Sequence, residues 1–204
     1  VDMAKCTGCG ECLTKCPAKA PSETSLGLGQ RRAIYKPFSQ AVPNVPVIDR
    51  EHCTYFLKGK CRVCEKVCPA GAIDYTQEET TRTEKFGAIV VATGFSLFDI
   101  KPYGEYGAGE IKDVITSLQL ERMLDPNGPT GGQILRPSDQ KAPKKVAFVQ
   151  CAGSRDENHL PYCSYICCMA SLKQATYLRE KDPETEVYIF YIDIRSPGRY
   201  EQFY

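Results

Sequence analysis

The chain has 204 residues with 26 basic and 25 acidic side chains and a net charge of +1, so bulk charge argues for neither a nucleic-acid nor an acidic partner. No apolar run approaches the roughly 20 residues that a membrane-spanning helix needs. Twelve cysteines are many for an intracellular protein unless a metal takes them. Nothing resembling a secretory signal opens the chain to favour disulfides, so a cytoplasmic, reducing compartment is expected.

The first element is the run Cys6-Thr-Gly-Cys9-Gly-Glu-Cys12-Leu-Thr-Lys-Cys16-Pro17. Its C-x2-C-x2-C-x3-C-P spacing is that by which bacterial-type ferredoxins hold [4Fe–4S] clusters. Three close cysteines wrap three corners of one cubane, and the fourth, stiffened by its proline, ligates the other cluster. An irregular copy follows at Cys61-Arg-Val-Cys64-Glu-Lys-Val-Cys68-Pro69, with Cys53 ahead of it. The spacing therefore assigns one cluster to Cys6, Cys9, Cys12 and Cys68, and a second to Cys53, Cys61, Cys64 and Cys16. The insert 54–60 between Cys53 and Cys61 is expected to bulge outward. Structural zinc would favour separated C-x2-C pairs, often with histidine, yet neither His52 nor His159 sits at ligand spacing. Free core cysteines would not repeat in this way.

Residues 17–52 carry Pro21, Pro37, Pro43 and Pro46 with little periodicity, which predicts an irregular loop laid over the cluster region. Within it, Arg31, Arg32 and Lys36 could instead contact a flavin or nucleotide phosphate, although basic and aromatic residues are common on loops. Short strands are expected at 47–49 and at 72–75. Residues 80–85 read as a linker or exposed strand. The apolar run 86–95, ending in Ala92-Thr93-Gly94, predicts a buried central strand whose carboxyl end closes against a ligand. A loop over 96–109, a helix over 111–124 stopped by Pro126, and an irregular connection over 130–143 follow.

Residues 144–150, 165–181 and 187–192 read as strand, helix and strand, a βαβ unit with a parallel pair. Where a dinucleotide-binding unit places G-x-G-x-x-G, this chain has Cys151-Ala-Gly-Ser-Arg-Asp156, so nicotinamide binding is not expected there. Four cysteines occupy that place instead: Cys151 at the strand end, then Cys163, Cys167 and Cys168. On a helix Cys163 and Cys167 would share a face, with Cys168 turned about 100° away. They could simply pack the helix on the sheet, since free cysteine is a small hydrophobe. Adjacent cysteines with one more at a strand end fit a third [4Fe–4S] site better. Arg155 and Asp156 could contact a flavin, but a strand-end salt bridge is the simpler expectation.

The runs Cys151-Ala-Gly-Ser-Arg-Asp, Tyr162-Cys-Ser-Tyr-Ile-Cys-Cys168 and Ser171-Leu-Lys-Gln-Ala, with Tyr191-Ile-Asp-Ile-Arg195, resemble the A subunit of heterodisulfide reductase and its relatives. So do Leu26-Gly-Leu-Gly and Ala33-Ile-Tyr-Lys-Pro-Phe, and the resemblance covers nearly the whole chain. It implies an α/β and α+β architecture: a two-cluster bacterial-type ferredoxin domain (1–79) inserted in a thioredoxin-reductase-like, Rossmann-like FAD-binding α/β domain (80–204, in part). It implies a further cluster on the Cys-rich helix beside FAD, flavin contacts at Ala92, Thr93 and Gly94, and a catalytic Lys173 that could stabilise reduced flavin. Without the resemblance, Lys173 would read as an exposed helix lysine. Both ends then look cut from a longer protein.

As function, the resemblance implies an oxidoreductase component that passes electrons between [4Fe–4S] clusters and FAD and can split an electron pair between two acceptors. The implied partners are other heterodisulfide-reductase-like subunits, a hydrogenase or formate dehydrogenase that delivers electrons, and a second copy of the chain. Two alternatives are a ferredoxin-type carrier or docking module without flavin, and the related component of a quinone-interacting oxidoreductase.

Overall fold

In the computed structural model, which describes residues 1–204, the chain divides between Thr93 and Gly94 into two units. The first unit is built on two short helices that carry the cysteine motifs, α1 (Glu11–Lys15) and α3 (Val63–Lys66). Between them lie β1 (Lys19–Pro21), β2 (Gln30–Arg32), β3 (Ile34–Tyr35), β4 (Val47–Ile48) and α2 (Thr54–Lys58). The strands pair antiparallel as β1 with β2 and β3 with β4, in registers Ala20↔Arg31 and Ile34↔Ile48.

The long connection is therefore more than an irregular loop. Its Ala33 and Ile34 are 0% and 1% exposed and form one core with Cys12, Cys16, Cys53, Cys64, Ile73 and Tyr75. Burial of Ile34 on β3, and of Ala33 in the bend between β2 and β3, on the cysteine cluster fixes what proline content alone left open. Arg31 is also structural. Its Nη2 lies 2.8 Å from Asp49 Oδ2 and its Nε 2.7 Å from Glu23 Oε2, with the guanidinium 3.8 Å above the Tyr35 ring. Lys36 Nζ is likewise bound to Asn44 Oδ1 at 2.9 Å.

Two other expectations for this unit change. The insert after Cys53 does not only bulge; it folds as α2, capped by Gly59 in the left-handed region (φ 63°). Tyr55 and Phe56 of α2 turn inward onto the core. Residues 72–75 are largely buried but form no strand: the Ala72 carbonyl accepts from Asp2 N at 2.7 Å, a tie that anchors the start of the chain.

The second unit holds α4 (Ser117–Leu124), β5 (Lys145–Val149), α5 (Cys167–Lys181) and β6 (Glu186–Phe190). β5 and β6 pair parallel from Lys145↔Glu186 to Val149↔Phe190, with α5 as the crossover, as the βαβ pattern predicts. α4 begins at 117, not 111, because Thr116 and Gln119 form a reciprocal capping box that fixes its first turn. α5 is tied to α4 by Gln174, whose side chain is 0% exposed and donates to Ser117 Oγ at 2.9 Å and to Glu121 Oε1 at 2.8 Å.

The expected buried strand over 86–95 is not formed. These residues are exposed, Ile89 and Val90 at 87% and 89%, and no strand lies between β4 and β5. An apolar segment becomes a strand only when neighbouring strands take its backbone groups and its faces are covered. Here β5 and β6 have only each other. No helix is long and apolar enough to cross a membrane.

Candidate metal centre

All twelve cysteines are free thiols. In the first unit, local backbone geometry sets up the motif loops. Gly8 and Gly10 hold left-handed φ values of 72° and 83°, which let the chain turn tightly between Cys6, Cys9 and Cys12. Cys61 also takes a left-handed φ of 85°, a conformation that costs an L-residue roughly 1–2 kcal/mol. Strain of this kind concentrates where function over-determines the backbone.

The fold brings Cys16, Cys53, Cys61 and Cys64 to the walls of a single pocket. The pocket encloses about 320 Å³ of space between atoms, part of it open to solvent, and is otherwise lined mostly by apolar groups such as Ile34, Ile48 and Val63. These four cysteines come from three separate segments: the end of α1, the start of α2, and the loop into α3 with α3 itself. Cys16, from the first motif, joins three cysteines of the second. The other set is held differently. Cys6 Sγ accepts from Gly8 N at 3.4 Å, and Cys68 Sγ accepts from Ala72 N at 3.3 Å. Burial, then the nearby charges of Cys64, Cys68 and Cys9, push the Cys12 thiol up to about 11. Cys64 is also raised, by burial first, against hydrogen bonds from Tyr75 and the Glu65 backbone that lower it.

The chemistry of this donor set fits an iron–sulfur group. Packing several thiolates together in an apolar setting is unfavourable without a cation, because desolvation and mutual repulsion both act on the charged form. A bound metal removes both penalties and deprotonates its thiols. The residues present would hold one group through Cys16, Cys53, Cys61 and Cys64, and another through Cys6, Cys9, Cys12 and Cys68.

Sequence reasoning missed the buried partner of the first pocket. Tyr75 Oη lies 2.9 Å from Cys64 Sγ, with both residues 8% exposed. The available signal was only that a buried tyrosine usually finds a partner for its hydroxyl. Spacing could not name that partner, eleven residues away.

In the second unit Cys151 again adopts a left-handed φ, 57°, at the end of β5. Gly153 follows at φ 80°, where a Cβ would collide with the Phe98 ring. Cys163 is not on α5: Tyr165, at φ 65°, breaks the helical path, so α5 begins at Cys167. Cys163 and Cys167 therefore do not share a helix face, as their four-residue spacing had predicted. Cys167 and Cys168 open the helix, whose N-terminal end favours thiolate. Burial raises the Cys168 thiol, as do the charges of Cys167 and Cys151, while a backbone hydrogen bond from Arg195 lowers it. This places Cys151, Cys167 and Cys168 within electrostatic reach of one another. Cys168 Sγ lies 3.9 Å from the Asp193 carbonyl. Asp193 in turn takes Arg155 Nη1 at 2.6 Å and Arg195 Nε at 3.3 Å. Arg155 thus forms a strand-end salt bridge with Asp193 rather than with Asp156, which takes His159 Nδ1 at 3.2 Å.

Lys173 sits on α5 with its Nζ 2.7 Å from Glu121 Oε1 and 5.7 Å from the Tyr177 ring centroid. Ala92, Thr93 and Gly94 lie in the exposed segment described above.

Residues 1–21 match the family described as "4Fe-4S binding domain". Over 206 aligned residues the chain is 52% identical to the iron-sulfur A subunit of the CoB--CoM heterodisulfide reductase of Methanocaldococcus jannaschii, covering 100% of this chain and 31% of that protein. It is 50% identical over 206 residues to the A subunit of the H(2)/formate:CoB-CoM heterodisulfide,ferredoxin reductase of Methanococcus maripaludis, at 100% and 30% coverage. It is 47% identical over 203 residues to the A subunit of the ferredoxin/F(420)H(2)-dependent CoB-CoM heterodisulfide reductase of Methanosarcina acetivorans, at 98% and 25% coverage. The chain thus spans 25–31% of the length of these relatives. Over its whole length the chain is thus similar to one segment of heterodisulfide reductase A subunits, the first of which is named as an iron-sulfur subunit.

Proposed function

We propose that this chain is the electron-transfer segment of a heterodisulfide-reductase-like oxidoreductase. Two [4Fe–4S] clusters are held by Cys6, Cys9, Cys12 and Cys68, and by Cys16, Cys53, Cys61 and Cys64. A third is held by Cys151, Cys163, Cys167 and Cys168, next to an FAD site to which Gly94 and Lys173 contribute. The observation that carries this reading is the pocket whose walls hold Cys16 together with Cys53, Cys61 and Cys64. That exchange of one cysteine between motifs is what a two-cluster ferredoxin requires.

When bound, the clusters supply one-electron redox chemistry. The chain's own residues set where and how easily an electron rests. Ile34, Ile48 and Val63 surround the second set with apolar groups, and amides of Gly8 and Ala72 address sulfurs of the first. Arg155 and Arg195 place positive charge beside the third. Lys173, held by Glu121, supplies a cation at the flavin. The partners in this reading are the companion subunits of such a complex, a hydrogenase or formate dehydrogenase that feeds it electrons, and a second copy of the chain. Division of an electron pair between two acceptors belongs to the same reading.

Iron and acid-labile sulfide counted on protein purified without oxygen test it. About twelve irons per chain support three cubane clusters, about eight support only the first two, and none overturns the reading. The pairing of Lys173 with Glu121 also favours a second reading, a ferredoxin-type carrier without flavin in this segment. A flavin absorption band in the full-length protein that is lost on Lys173→Ala argues against that second reading.

A further inference from the structure

We propose that Tyr75 is a positioning residue that donates a hydrogen bond to Cys64 Sγ and raises the reduction potential of the cluster held by Cys16, Cys53, Cys61 and Cys64. The inference rests on the two-cluster reading above and adds to it the device that distinguishes one cluster from the other.

Three observations and one chemical constraint carry it. Tyr75 Oη is 2.9 Å from Cys64 Sγ, and both residues line the pocket that holds the other three cysteines of this set. Both are 8% exposed, so the contact is made largely away from bulk water. The ring is fixed from two sides, by Tyr55 with centroids 4.0 Å apart and by Phe56 at 5.8 Å in edge contact. The hydroxyl is therefore aimed rather than free to swing. Finally, a sulfur bound to iron carries no proton and can only accept, which fixes the direction of the bond: Tyr75 O–H donates.

The electrostatic consequence has one sign. Reduction adds negative charge to the cluster and its sulfurs, and a hydrogen bond to a ligating sulfur is stronger when that sulfur is more negative. The reduced state gains more than the oxidised state, so the potential rises. The first set has its own sulfur contacts, from the backbone amides of Gly8 and Ala72, which no side-chain change removes. Tyr75 is thus a tuning contact for one cluster that a single atom can delete.

The test is Tyr75→Phe in the full-length protein, purified without oxygen and titrated electrochemically with EPR detection of each cluster. Tyr75→Phe keeps the ring that packs on Tyr55 and Phe56 and removes only the hydroxyl. The expected result is an unchanged iron content with one cluster shifted to lower potential. At a fixed potential its reduced-to-oxidised ratio falls about tenfold, equivalent to about 59 mV for a one-electron couple, while the other cluster stays in place. Unchanged midpoints with full iron content overturn the inference and leave the cluster reading intact. If Cys16→Ala costs the protein no iron, the cluster reading itself fails. Should Tyr75→Phe not assemble, 3-fluorotyrosine at position 75, a stronger donor of nearly the same shape, is expected to move the same cluster to higher potential; no movement overturns the inference.

Discussion

Glu121 Oε1 accepts from Lys173 Nζ at 2.7 Å and from Gln174 Nε2 at 2.8 Å, so one carboxylate on α4 holds two consecutive residues of α5. The two bonds differ in weight. The Lys173 pair is partly exposed, 41% and 31% for the two side chains, and such pairs contribute about 0–1 kcal/mol. Gln174 is fully buried, and its loss removes a partner from both Ser117 and Glu121. Gln174→Ala is expected to destabilise by about 1–3 kcal/mol, whereas Lys173→Met changes stability by less than about 1 kcal/mol. Urea denaturation of both variants measures the difference; equal losses would contradict it.

Acid dependence should follow the Arg31 ion pair. The hydrogen bond from Arg31 holds Glu23 at about 2, below its ordinary value of 4.5. A carboxylate depressed in the folded state contributes stability that is present above its unfolded pKa and is lost as pH falls through the folded one. The stability gap between wild type and Arg31→Met is therefore expected to be constant above about pH 5 and to narrow between about 4.5 and 2. Melting the two proteins side by side at each pH cancels acid effects common to both. A gap that widens on acidification would rule out this account.

Iron content should separate the site at Cys16 from the site at Cys168. Cys16→Ala is expected to remove about four irons and one reduced-cluster signal, and Cys168→Ala about four irons of a different signal. Because Cys16 and Cys168 belong to different units, the two losses should add in the double variant. If Cys168→Ala leaves the iron count untouched, those four cysteines pack the helix rather than bind metal.

Two glycines of the first motif should respond unequally to a methyl group. Both have left-handed φ, 72° at Gly8 and 83° at Gly10. A Cβ on Gly8 would stand 2.7 Å from the Asn44 carbonyl oxygen, while one on Gly10 meets nothing within 4 Å. Gly10→Ala is expected to cost about 1–2 kcal/mol of conformational strain, and Gly8→Ala distinctly more. Chemical denaturation decides it, and a Gly8→Ala loss no greater than that of Gly10→Ala would refute the contact.

The cysteine motifs were legible because ligand spacing is a local property, written within a dozen residues. The βαβ pattern over 145–190 was legible for a similar reason, since β5, α5 and β6 are consecutive and β5 pairs with β6. Residues 86–95 were misread because apolar character records a wish for burial but not the presence of neighbouring strands. Cys163 was misplaced by the left-handed Tyr165, whose side chain gives no warning of a positive φ. The insert's α2 was hidden because its inward contacts, Tyr55 and Phe56 on Tyr75, depend on a residue far along the chain. For residues 86–95 and for α2, the deciding partner lay outside the window that a pattern can see.

The exchange of one cysteine between motifs has a topological consequence. Cys16 shares a pocket with Cys53, 53 − 16 = 37 residues later, and Cys12 feels the charge of Cys68, 68 − 12 = 56 residues later. Groups bridging both would close two overlapping loops, each embracing the strands β1 to β4. Loop closure costs entropy that grows only as the logarithm of length. A double cross-link would therefore restrict the disordered chain much as two disulfides do. Oxidative loss of both groups would then release the intervening strands as well as two electron carriers.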